Sequence, residues 1–191
     1  MITYLAKRIT EFFISYDVIK KEDREIYQYG NEIIISSLLD FFILLAFAIG
    51  FNDFVNVILF WIVFFILRKF GGGYHAGTYL KCKIVFSVNI FIVMIIMHDF
   101  KYVYNIYLLI LMTVFSCVSI FLLAPVDNEN KPLSETEKRI NALKCRILLV
   151  LVCISSFLLF DCFSEISLIL GLAHFSVAFA MIFEVVRKNK N

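Results

Sequence analysis

Six apolar stretches, residues 33–51, 54–67, 84–97, 102–124, 147–160 and 163–186, are separated by short polar punctuation. The apolar runs are continuous rather than alternating, so they predict helices in a uniformly apolar medium and not barrel strands. Residues 54–67, 84–97 and 147–160 fall short of the ~20 apolar residues of a full span, and snorkelling Lys and Arg at their flanks can lengthen each. Ahead of the runs, Ile2, Leu5, Ile9, Phe12, Phe13 and Tyr16 recur on one helical face, with Lys7, Arg8, Glu11 and Ser15 on the other. That pattern predicts an amphipathic helix in the headgroup plane, within an interfacial segment 1–24. It is no signal peptide, because Lys7, Arg8, Glu11 and Asp17 interrupt any apolar core.

Composition agrees with the pattern. Of 191 residues, 61% are hydrophobic and 18% charged, against roughly 45–50% and about 25% in soluble domains. Six spans of ~20 residues take about 120 and leave roughly 70 for everything else. This excludes a disordered chain, a disulfide-stapled secreted module and an anchor carrying a separate soluble enzyme. Residues 1–191 are therefore expected to form one integral-membrane domain, all-α, with any chemistry on the helices or their short connections.

Charge placement orients the expected bundle. Six spans put 17 of the 18 Lys and Arg residues on one side, leaving only Lys101 opposite. By the positive-inside rule that side is the cytoplasm, with both termini there. The net charge of +2 is too small an imbalance to imply a nucleic-acid partner.

The connection 68–83, on that side, reads Arg-Lys-Phe-Gly-Gly-Gly-Tyr-His-Ala-Gly-Thr-Tyr-Leu-Lys-Cys-Lys and holds four of the seven glycines. One reading is a flexible turn, since glycine supplies the conformations that turns need. The sharper reading is a Cys/His pair for nucleophilic catalysis. Cationic neighbours and helix N-termini favour a thiolate; Cys82 lies between Lys81 and Lys83 at the expected start of the third span. His75 would be the base that takes the thiol proton and later protonates a leaving group. Seven residues of straight helix separate them by about 10 Å, so a bend at Gly77-Thr78 is expected.

These residues resemble a known family. Arg68, the glycine run ending at Gly73, Tyr74-His75-Ala76 and Cys82, with Ala124-Pro125 and Asn130-Lys131-Pro132 in the next connection on that side, are similar to AgrB, the membrane endopeptidases of bacterial quorum-sensing loci. The resemblance covers essentially the whole chain. It implies a cysteine peptidase of the cytoplasmic membrane that removes the C-terminal tail of an AgrD-like propeptide and yields a cyclic thiolactone, without a cofactor. Cys82 would be the nucleophile, His75 the base, and Arg68 and Gly73 further positions needed for processing. A homodimer is implied as well. Family precursors carry an acidic tail, and Arg68, Lys69, Lys81 and Lys83 would form a cationic collar to hold it.

Other candidates are weaker. Cys145, between Lys144 and Arg146, is a rival nucleophile without a neighbouring His; Cys117, Cys153 and Cys162 read as small packing groups. Asp40 lies within a span and needs a partner; it or Asn89 is a candidate to orient His75. His174 is expected to make an interhelical hydrogen bond. With no Cys-x-x-Cys or His-Glu-x-x-His, no metal is expected. The alternative from another class is a small exporter of a hydrophobic peptide, in which the Gly-rich connection is a hinge and Cys82 is incidental.

Overall fold

Polar caps fix the ends of several helices in the structure, a computed structural model that describes residues 1–72, 78–100, 103–126 and 134–190. Seven α-helices follow one another: α1 (Ile2–Ser15), α2 (Arg24–Gly50), α3 (Phe54–Gly71), α4 (Tyr79–Phe100), α5 (Ile106–Leu123), α6 (Glu135–Leu159) and α7 (Ser164–Lys190). Asp53 caps α3 by accepting from the amide of Asn56, and Asn105 caps α5 by accepting from that of Leu108. Ser134 and Glu137 form a reciprocal capping box on α6, satisfying two backbone donors that a helix start leaves open. The last six helices are each long and apolar enough to cross a membrane. The chain is an N-terminal helix followed by six spans, a multi-pass membrane protein.

The helices outrun the apolar runs. α2 begins at Arg24 rather than at residue 33, α4 at Tyr79 rather than 84, and α6 at Glu135 rather than 147. Each added stretch is polar and held by capping or by a neighbouring helix, which apolar counting cannot register.

α7 is the centre of the bundle, packed against α3, α5, α6 and α4. Its most apolar window is 61% buried, against 11% for α2. Small residues let the partners approach: Ala173 and Ala178 on α7 are fully buried. Polar side chains add ties. His174 Nδ1 lies 2.9 Å from Ser116 Oγ on α5, the interhelical bond expected of it. Ser167 Oγ donates to the Ser156 carbonyl of α6 at 2.7 Å and lies 2.9 Å from the Tyr104 hydroxyl.

α1 packs along α2 through Ile2, Ala6 and Thr10, all buried. Thr10 Oγ1 accepts from Asn31 Nδ2 at 3.0 Å, and Glu11 pairs with Arg24. Leu5, Ile9, Phe12 and Tyr16 of the anticipated apolar stripe stay exposed beside this contact. Ile2 from the stripe and the small residues Ala6 and Thr10, not the rest of the stripe, thus make the α1–α2 interface.

Candidate active site at the facing ends of α3 and α4

An aromatic contact joins α3 and α4. Phe64 and Phe86 pack with ring centroids 6.2 Å apart. One helical turn nearer the connection, four residues after Phe64 and four before Phe86, come Arg68 and Cys82. The Arg68 guanidinium lies 5.5 Å from the Phe64 ring centroid, in cation–π range. It interacts electrostatically with Cys82, Asp40 and Glu184. Both Arg68 and Cys82 are half-buried.

Cys82 occupies the first turn of α4, which Thr78 caps. Thr78 Oγ1 accepts from the Lys81 amide at 3.3 Å, and its carbonyl accepts from the Cys82 amide at 3.1 Å. Three polar ties fasten this turn to α2. The Tyr79 hydroxyl donates to Glu32 at 2.9 Å, Lys83 Nζ donates to the Ser36 carbonyl at 3.0 Å, and Lys83 forms an ion pair with Asp40. The Lys83 side chain is only 12% exposed. Asp40, whose place within a span demanded a partner, has one in Lys83. Lys83 is thereby turned to α2 rather than left on the open rim, where Lys69 and Lys81 are exposed.

A second junction lies at the end of α3. The Gly71 carbonyl accepts from the Val126 amide at 2.9 Å, and Gly72 and Val126 form an isolated parallel bridge. Gly72 has φ +76°, and a Cβ there would lie 2.2 Å from the Val126 carbonyl oxygen. Both facts demand glycine. At Gly71 a Cβ would lie 2.9 Å from Cys145 Sγ. Cys145 itself is fully buried, its thiol 3.7 Å from the Leu67 carbonyl. Lys69 and Lys144 both approach the Phe70 ring, at 5.7 and 5.4 Å from its centroid.

Among the predicted residues, then, Arg68, Cys82, Lys83 and Asp40 come together. Gly73, His75, Gly77 and the Asn130-Lys131-Pro132 element lie outside the described residues. Asn89, on the Cys82 face of α4, has a buried Nδ2 without a hydrogen-bond partner. Sequence reasoning missed Glu184, 2% exposed on α7 and held by Arg187 at 2.7 and 3.0 Å. Its signal was a lone acid inside the last apolar run. It also missed Glu32 and Ser36, whose spacing of four from each other and from Asp40 marks one polar stripe on an apolar helix. Among the described residues no group of His, Cys, Asp and Glu is arranged to hold a metal ion.

Chemically, a half-buried thiol facing a guanidinium in apolar surroundings can attack a carbonyl, and the cation can stabilise negative charge developing beside the sulfur. Comparison with known proteins points the same way. The sequence profile of the family AgrB, accessory gene regulator B, matches residues 6–186. Two Clostridium perfringens proteins, whose names are given by likeness, are similar. AgrB-like protein 2 of strain 13 / Type A is 31% identical over 149 residues, covering 75% of this chain and 69% of that protein. An AgrB-like protein of strain SM101 / Type A is 30% identical over 149 residues with the same coverage. No solved structure matches. The profile spans nearly every helix of the bundle and the whole facing pair of Arg68 and Cys82, and the chain belongs to the AgrB family.

Proposed function

We propose that this protein is a membrane cysteine endopeptidase of quorum sensing, acting on an AgrD-like precursor at the cytoplasmic face of the bacterial cell membrane. The observation that carries the reading is Cys82 facing Arg68 at the ends of α3 and α4 in a chain of the AgrB family. The Cys82 thiolate attacks the scissile carbonyl, and His75, having taken the thiol proton, delivers it to the departing amine of the tail. Arg68 stabilises the oxyanion in between. A cysteine thiol within the bound peptide then gives its proton to His75 and attacks the thioester, Cys82 leaves as thiolate, and a cyclic thiolactone results. Exchange of one thioester for another is nearly isoenergetic, so hydrolysis wins unless water is kept out. The helix bundle and bilayer supply that exclusion.

An acidic tail would meet the exposed cations around the site, Lys69 and Lys81, together with Lys144 from α6, which shares the Phe70 ring with Lys69. Lys83, engaged by Asp40, serves the architecture instead. The protein would work as a homodimer, as its family resemblance implies.

Co-expression with the precursor tests the reading. Cys82→Ser should abolish cleavage while the protein still inserts, and mass spectrometry of the wild-type product should find a ring. Retained cleavage would refute Cys82 as nucleophile. A linear product would refute the cyclisation while sparing the peptidase.

A further inference from the structure

We infer that Asp40 is a positioning residue for Cys82, acting through Lys83 and the polar stripe that joins α2 to the first turns of α4. The inference rests on Cys82 as the nucleophile, and goes beyond it by naming what aims the sulfur. On α2, Glu32, Ser36 and Asp40 follow one another at intervals of four; on α4, Tyr79 and Lys83 do the same. Residues so spaced share a helix face, and here the two faces meet in parallel. Tyr79 reaches Glu32, while Lys83 reaches both the Ser36 carbonyl and Asp40.

A purely apolar contact between two helices permits rotation and sliding, because lipid and side chains are equally apolar. Directional hydrogen bonds and an ion pair do not. With Lys83 held against α2, Cys82 is turned by about 100° from that contact, onto the face that continues through Phe86 and Ile90 into the core. That is the face packed on Phe64 and lying toward Arg68. α4 has few other restraints at this end. Apart from the buried Asn89 Nδ2, its remaining buried side chains within the membrane, such as Ile90, Val93 and Met94, are apolar. The ion pair is thus one of three directional ties, with the Tyr79–Glu32 and Lys83–Ser36 hydrogen bonds, that hold this end of α4 against α2. Asp40 lies within a span, where a charge is a net cost unless a partner offsets it.

The test uses the full chain with its precursor in proteoliposomes, in a Cys162→Ser background. D40N, D40E and the double variant D40L/K83M are compared for cleavage and for N-ethylmaleimide alkylation of Cys82. D40N should lower kcat by about 10²-fold, the scale of a misplacement of about 1 Å, with KM little changed and alkylation slowed in step. D40E, which keeps the carboxylate, should recover most of the turnover. D40L/K83M removes both charges and the cost of burying them, so it should accumulate normally yet turn over as slowly as D40N. Wild-type kcat in D40L/K83M would overturn the proposal, because the pair would then do no more than offset its own burial. So would wild-type kcat and alkylation in D40N. If Cys82→Ser still cleaves, the endopeptidase reading falls; the alkylation rates still report whether Asp40 aims the thiol.

Discussion

Arg68 of α3 interacts electrostatically with Cys82 of α4, and both lie one helical turn nearer the α3–α4 connection than the Phe64–Phe86 ring contact. The guanidinium over the Phe64 ring is therefore placed by aromatic packing as much as by charge. R68A should lower kcat by about 10²-fold, the scale of removing one oxyanion donor, with smaller change in KM. R68K keeps the charge but loses the planar stacking and fork geometry, and should fall between R68A and wild type in single-turnover cleavage. Equal activity of R68K and wild type would show that charge alone suffices.

Gly72 tolerates no side chain. Its φ of +76° and ψ of −147° lie in territory that only glycine visits cheaply, at a cost of about 1–3 kcal/mol for other residues. The Val126 oxygen 2.2 Å from a Cβ adds a backbone clash. G72A should reduce the amount of folded protein and its melting temperature in detergent, and replacement of Val126 by Ala should not rescue it, since the obstacle is a carbonyl.

Gly71 offers a contrast, because its obstacle is a side chain. G71A should destabilise by about 1–3 kcal/mol through overpacking against Cys145 Sγ at 2.9 Å and Met181 Sδ at 3.5 Å. Cys145→Ala alone should leave precursor cleavage intact, and in the G71A background it should restore stability. A thermal-unfolding double-mutant cycle measures that coupling; additive losses would show that the two positions do not share space.

The bundle was largely legible in the sequence, because continuous apolar runs can only be helices in lipid. The need of Asp40 for a partner was legible too, and so was the family. The helix starts were not. α2 back to Arg24, and α4 back to Tyr79, are polar stretches held by tertiary contacts with α1 and α2. The start of α6 could have been read, since Ser134 and Glu137 stand at capping-box spacing. Lys83 counted equally with Lys69 and Lys81 in the sequence, and only the packing of α2 on α4 separates a buried ion-pair partner from two exposed cations.

Those exposed cations predict salt-sensitive recognition. K69E, K81E and K144E should each raise KM a few-fold for a precursor with an acidic tail and barely for one whose tail is neutralised. Added salt should produce the same selective weakening, because exposed charges are screened beyond about 8–10 Å near physiological ionic strength. An equal effect on both precursors would assign these lysines to membrane orientation alone.

Far from the site, S116A should cost about 0.6–1.7 kcal/mol, the range of interhelical hydrogen bonds within membranes, by leaving His174 Nδ1 without its 2.9 Å partner. Per-molecule cleavage should be unchanged, which thermal unfolding and kinetics on the same preparation can separate.

The backbone seam between Gly71, Gly72 and Val126 has a consequence for exchanging parts between relatives. The seam ties together two points of the chain more than fifty residues apart. A chimera that transplants only 68–83, or only the segment after α5, would join the two sides of the seam from different proteins. Specificity for one precursor over another should therefore travel between homologues only when both segments are swapped together.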